Sequence, residues 1–117
     1  MSVHDPIIVS EAFDSPKLEF ELIVPEDLFT LQGHFPDAPV LPGITQIHWA
    51  ISLAMKHLPL KPTFLGIEAL KFHRIIKPMV TLNLVLEYVE TTGKLHFSYS
   101  SEQGLHSHGR VLFGQHR

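Results

Sequence analysis

The sequence predicts an α+β domain in which one antiparallel sheet wraps around a single long helix. Three observations lead there. Apolar and polar residues alternate with period two through most of the chain, as in KLEFELIV (17–24) and VTLNLVLEY (80–88). One proline-bounded stretch, Gly43 to Leu58, is apolar on both sides of a helix. The strand-like segments follow one another instead of alternating with helices, which argues against a parallel doubly wound sheet.

The elements run in order from the N-terminus. Ile7–Phe13 reads as an extended segment, joined through the turn residues Asp14-Ser15-Pro16 to the strand 17–24, where Leu18, Phe20, Leu22 and Val24 share one side. A short helical turn, EDLF, is expected after Pro25. The central helix begins at Pro42-Gly43, where proline's missing N–H costs nothing, and stops near Leu58 because Pro59 cannot continue it. At about 100° per residue, Ile44, Ile47, Ile51, Met55 and Leu58 form one face with His48 inside it, while Trp49 and Leu53 lie opposite. Such a helix is expected to be buried all round. TFLGIEALKF (63–72) has strand composition with weak alternation, as a strand buried on both faces in places would have. The chain closes with 80–88 and a hairpin of KLHFSYS (94–100) and LHSHGRVLF (105–113) around Ser101-Glu102-Gln103-Gly104. A curved antiparallel sheet around one such helix is the hot-dog architecture.

At 117 residues the chain is expected to be a single domain spanning 1–117. A domain of this size buries only about two thirds of its unfolded surface, so oligomerisation is a natural supplement. A net charge of −3 with nine neutral histidines argues against a broad nucleic-acid-binding face. No window is apolar enough to span a bilayer, and the N-terminal residues lack a secretory pattern, so a cytoplasmic location without membrane insertion is expected. With no cysteine, thiolate metal sites are excluded.

The chemistry concentrates in GHFPDAPVLPGITQIHWAISLAMKH (33–57). His34 stands in a loop stiffened by Pro36, Pro39 and Pro42. Gly43 offers an N–H at a helix N-terminus, which stabilises developing negative charge, with no side chain to block approach. His48 follows on the apolar helix. A base, an oxyanion donor and a second titratable group thus fall within a short span.

The run Gly33-His34-Phe35-Pro36-x-x-Pro39-Val40-Leu41-Pro42-Gly43 resembles the active-site signature of the 3-hydroxyacyl-acyl carrier protein dehydratases, which are hot-dog proteins. FLGIEALKFHRIIKP (64–78) is similar to the strand that follows the central helix there. The resemblance implies that His34 is the general base acting on C2 of a 3-hydroxyacyl thioester. It implies that the Gly43 N–H binds the thioester carbonyl, and that an acid on the partner's helix assists loss of the 3-hydroxyl. It implies a site built across a dimer, homomeric or with a related hot-dog subunit, possible in a higher oligomer, and no metal or redox cofactor. The substrate is carried on the phosphopantetheine of acyl carrier protein. This sequence departs from the pattern where Glu or Asp is expected: the position holds His48, and the helix carries no carboxylate. Histidine titrates near neutral pH, so His48 is expected to replace the acid.

The chain also resembles the small dehydratase-like proteins of aryl polyene pigment clusters, which implies a flat conjugated substrate. Phe35, Leu41, Ile44 and Trp49 are the candidate walls of its tunnel. Lys71, His73, Arg74 and Lys77 concentrate positive charge and form a candidate docking rim for an acidic carrier protein. His96, His106 and His108 are read as an exposed strand face instead of a metal site, and Glu68 as a paired or edge-exposed carboxylate. Two alternatives stand beside the dehydratase. A non-catalytic carrier-binding or heterodimer subunit is supported by the missing carboxylate. A hot-dog thioesterase is disfavoured by the same absence.

Overall fold

The structure is a computed structural model that describes residues 5–26 and 40–115. Among these residues there are six strands and one helix. β1 (Ile7–Asp14) and β2 (Lys17–Ile23) precede α1 (Gly43–His57), which is followed by β3 (Thr63–Phe72), β4 (Thr81–Val89), β5 (Lys94–Ser101) and β6 (Gly104–Gly114). The strands form one antiparallel sheet in the order β1-β2-β4-β5-β6-β3. The helical turn expected after Pro25 lies, from Asp27 onward, outside the described residues. Among the described residues no helix is long and apolar enough to cross a membrane.

Alternation places the core. Leu18, Phe20 and Leu22 on β2 sit opposite Leu86, Leu84 and Leu82 on β4, and Leu86 and Leu84 in turn face Phe97 and Tyr99 on β5. These residues are buried in rows across the sheet. Onto them α1 lays Ile47, Trp49, Ala50, Leu53 and Ala54. The helix ends where Leu58 turns to extended backbone, its N–H still reaching Ala54 O at 2.8 Å. Lys56 and His57 complement the helix dipole in the last turn.

Two expectations about burial change. The helix is not enclosed all round: Ile44 is 76 % and Met55 66 % exposed, His48 is exposed beside them, and Ile51 is half-buried. Periodicity reveals two apolar faces, but one sheet covers only one of them. β3 is likewise an edge strand with Phe64, Leu65, Ile67 and Phe72 exposed. Its weak alternation comes from irregular pairing with β6, between Phe64 and Gly66 and again between Glu68 and Lys71, where Ala69 adopts φ 54°. Among the described residues, the helix face of Ile44 and Met55 and the β3 edge both expose apolar side chains.

Candidate active site

The start of α1 is built without a side-chain cap. Pro42 occupies the N-cap with extended backbone, and its carbonyl accepts from Thr45 N and Gln46 N, each at 3.1 Å. The first amides of a helix have no intrahelical acceptor, and among the described residues none accepts from Gly43 N or Ile44 N. Gly43 also serves packing. A Cβ there would lie 2.5 Å from Phe72 Cζ, so the ring fills the side on which open approach was expected.

His48 stands one turn beyond Ile44 on the bare side of the helix, with its Nε2 3.5 Å from Ser52 Oγ. Leu41 and Trp49, expected as tunnel walls, are buried in the core, 3 % and 1 % exposed. Trp49 follows His48 in sequence but lies about 100° further round the helix, which turns it onto the sheet. His34 and Phe35, with the loop up to Pro39, lie outside the described residues. The structure therefore places Ile44 and His48 on the exposed side of the helix, with Gly43 at its start under the Phe72 ring.

Beneath that helix end lies a polar cluster that the sequence reading missed. Gln46 is buried, and its Nε2 donates to Leu41 O at 3.2 Å. Its Oε1 accepts from the buried Ser107 hydroxyl at 2.7 Å, and its backbone carbonyl accepts from Tyr99 OH at 2.6 Å. Burial pushes the Tyr99 phenol well above its ordinary value, which keeps it a donor. The signal was present in the spacing: 46, 49, 50 and 53 form the i, i+3, i+4, i+7 face that meets the sheet.

The candidate docking residues Lys71, His73, Arg74 and Lys77 are all exposed, interleaved with exposed Phe72, Ile75 and Met79. Among the described residues none of the four has a salt-bridge partner. Their segment is held by His106, whose carbonyl accepts from His73 N at 2.8 Å and Arg74 N at 3.1 Å. The His106 ring faces Ile75 O through Nδ1 at 3.0 Å and Ser101 Oγ through Nε2 at 2.6 Å. His106 is thus fully buried, contrary to the expected exposed face, because the register shift between Tyr99 and Ser100 breaks the alternation of β6. His108 remains on the outer side, stacked on His73 with ring centroids 5.0 Å apart. Glu68 is a paired carboxylate, 3.1 Å from Lys94 Nζ and 2.9 Å from Arg110 Nε. The hydrogen bond from Lys94 holds its carboxyl below the ordinary glutamate value; desolvation opposes it, and the charges of Arg110, Lys94 and His96 add to the lowering. A depression of about 770 Å³ lined by Glu21, Asn83 and Ser100 contains none of the candidate site residues.

Comparison with known proteins converges on one family. Residues 10–110 match the family model of the ApeI-like proteins, described as ApeI dehydratase. The 3-hydroxyacyl-[acyl-carrier-protein] dehydratase FabZ of Clostridium perfringens is 31% identical over 96 residues, covering 76% of this chain and 68% of its own length. FabZ of Erythrobacter litoralis is 34% identical over 74 residues, 56% of this chain; the match spans about half (49%) of that enzyme. A structure of the dehydratase heterocomplex ApeI:P from Xenorhabdus doucetiae superposes with a TM-score of 0.87 at 29% identity, covering 95% of this chain and 99% of that one. An uncharacterized protein from Erwinia carotovora subsp. atroseptica gives 0.81 at 34% identity, covering 94% and 96%. A sheet wound on one helix, a glycine at that helix's start and a match running through nearly every strand leave one assignment: the chain belongs to the ApeI-like dehydratase family and has its hot-dog fold.

Proposed function

We propose that this chain dehydrates a 3-hydroxyacyl thioester carried on acyl carrier protein, giving the trans-2-enoyl thioester and water, in fatty acid or aryl polyene type synthesis. Family membership supports the reaction class. The observation that carries the residue roles is the place of His48, an imidazole on the open face of the central helix. His34 takes the proton from C2, and electron density moves toward the thioester oxygen, where the Gly43 N–H stabilises it. Its return forms the C2–C3 double bond and breaks the C3–O bond. The imidazolium of His48 protonates the departing hydroxyl, which leaves as water. His34 is then protonated and His48 neutral, and exchange with solvent restores both. No metal or redox cofactor enters these steps.

The bare helix face and the β3 edge are where a second hot-dog subunit, identical or related, would complete the site. The named heterocomplex of the Xenorhabdus relative supports a related one. Ile44 and Phe35 are the proposed walls for the acyl chain. Lys71, His73, Arg74 and Lys77 are the proposed contacts of an acidic carrier protein, as their exposure and positive charge suit. A cytoplasmic location fits this partner.

The test is dehydration of a 3-hydroxyacyl-carrier substrate by the purified protein, alone and mixed with a related hot-dog subunit. His34→Ala and His48→Ala should each lose about 10²–10⁴-fold in rate with folding intact. Turnover that survives His48→Ala removes His48 from the mechanism. A second reading, a non-catalytic subunit that supports an active relative, is favoured by the helix's lack of a carboxylate. It predicts turnover only in the mixture, undiminished by either substitution.

A further inference from the structure

Gln46 stands out among the residues to which the proposed mechanism assigns no part. Its position is buried on the sheet-facing side of α1, where an apolar residue would pack more simply. Instead it makes a three-way junction. Tyr99 holds its carbonyl, Ser107 holds its amide oxygen, and its amide nitrogen holds the carbonyl of Leu41. The other side of the Leu41 residue is also fixed, since Leu41 N donates to Ile76 O at 2.7 Å. Leu41 is therefore gripped through both its N–H and its C=O, two residues before Gly43. The N-cap Pro42 offers no side-chain bond, so the first turn is anchored from inside the helix.

The geometry points to Gln46 as a positioning residue that sets the Pro42–Gly43 turn and so aims the Gly43 N–H. This rests on the proposed role of that N–H as the donor to the thioester oxygen. An oxyanion donor acts only when it is already in place as charge develops, so a loosened turn weakens the transition state more than the ground state. The Phe72 ring packs on Gly43, while Gln46 holds Leu41, two residues before it. Sheet, connecting segment and helix start are thereby locked through one side chain.

Three variants and one exchange measurement test this. Gln46→Leu keeps the bulk and removes both side-chain bonds. Its kcat should fall about 10- to 100-fold, short of the 10²–10³ expected for losing the donor outright, with KM within about threefold. Gln46→Glu can donate to Leu41 O only when its carboxyl is protonated. Its activity relative to wild type should therefore rise as pH is lowered. The titratable groups around it, Tyr99 on β5 and His106 beside Ser107 on β6, are present in both proteins and cancel in that ratio. If Gln46→Leu does not fold, Ser107→Ala removes one bond and should lower kcat about fivefold.

Hydrogen exchange at the Leu41 amide reads the grip without any substrate. Exchange should rise about tenfold or more in Gln46→Leu, with the amides of β4 and β5 unchanged. Equal Leu41 protection in variant and wild type overturns the clamp. An unchanged kcat, a change in KM alone, or a pH-independent Gln46→Glu ratio overturns its link to Gly43. A wild type without turnover, alone or mixed, would instead refute the dehydratase reading, and the exchange measurement would still decide the clamp.

Discussion

Replacing Gly43 with alanine should be costly only while Phe72 is present. The new Cβ would meet Phe72 Cζ at 2.5 Å and the two Cε atoms at 3.0 and 3.1 Å. Carbon atoms rest about 3.5–4.0 Å apart, so the ring must retreat by about 1 Å. Phe72 is 50 % exposed and has room to swing, which puts the overpacking cost near the lower end of the usual range, about 1 kcal/mol. In a Phe72→Ala background the obstacle is gone. Gly43 is the first residue of a helix, where alanine fits the backbone, so the same substitution should stabilise by about 0.4–1 kcal/mol. The sign change gives a coupling of about 1.5–2 kcal/mol between positions 43 and 72, within the range for residues in contact. Urea unfolding of the four proteins at one protein concentration measures it, with the buried Trp49, the single tryptophan, as the fluorescent reporter. Effects that add to within about 0.5 kcal/mol would refute the reasoning, because they would show that the ring does not rest on Gly43.

Further outcomes follow from other parts of the fold. Met55→Glu places a charge on the exposed helix face; it should abolish the proposed association with a second hot-dog subunit, read by sedimentation velocity, while changing the stability of the separate chain by no more than about 0.5 kcal/mol. Tyr99→Phe removes the donor to Gln46 O and should cost about 0.5–1.5 kcal/mol in urea unfolding. In wild type the raised Tyr99 value means that its contribution is intact below pH 10, the ordinary phenol value, and drains as pH climbs above it, so tyrosinate absorbance from Tyr99 should appear only as the chain unfolds. Glu68 runs the other way: its lowered value means that the carboxylate's contribution is present above pH 4.5 and is lost as pH falls below it. Glu68→Gln should flatten the acid limb of stability against pH.

Much of the fold was legible because local patterns and tertiary structure agree. The alternation of Leu82, Leu84, Leu86 and Tyr88 placed β4 and its buried face, and Pro59 marked the end of the helix. Where reading failed, a one-residue irregularity had changed the parity. β3 looked like an interior strand because two bulges scatter its apolar residues over both faces, and His106 looked exposed because a register shift turns it inward. The helix period separated two faces but carries no information about which one the sheet covers, so Trp49 and His48 were assigned to surroundings that the structure sorts differently. Gly43 and His48 were singled out as candidates by residue type and spacing. Gln46 was not, because a glutamine among apolar neighbours has meaning only once Ser107 and Tyr99 are brought beneath it from more than fifty positions away (|i−j| of 61 and 53).

The bulges of β3 bear on which chain can pair there. Opposite β6, β3 carries one extra residue at Leu65 and another within Ala69–Leu70. A regular strand laid along its free edge would meet aligned donors and acceptors only between the interruptions, and would fall out of step beyond them. Indiscriminate strand addition, the usual hazard of an exposed apolar edge, is thereby discouraged. A strand carrying matching interruptions can stay in step throughout. The irregularity of the edge, more than its stickiness, then selects the neighbour, much as the cuts of a key and not its metal decide which lock it turns.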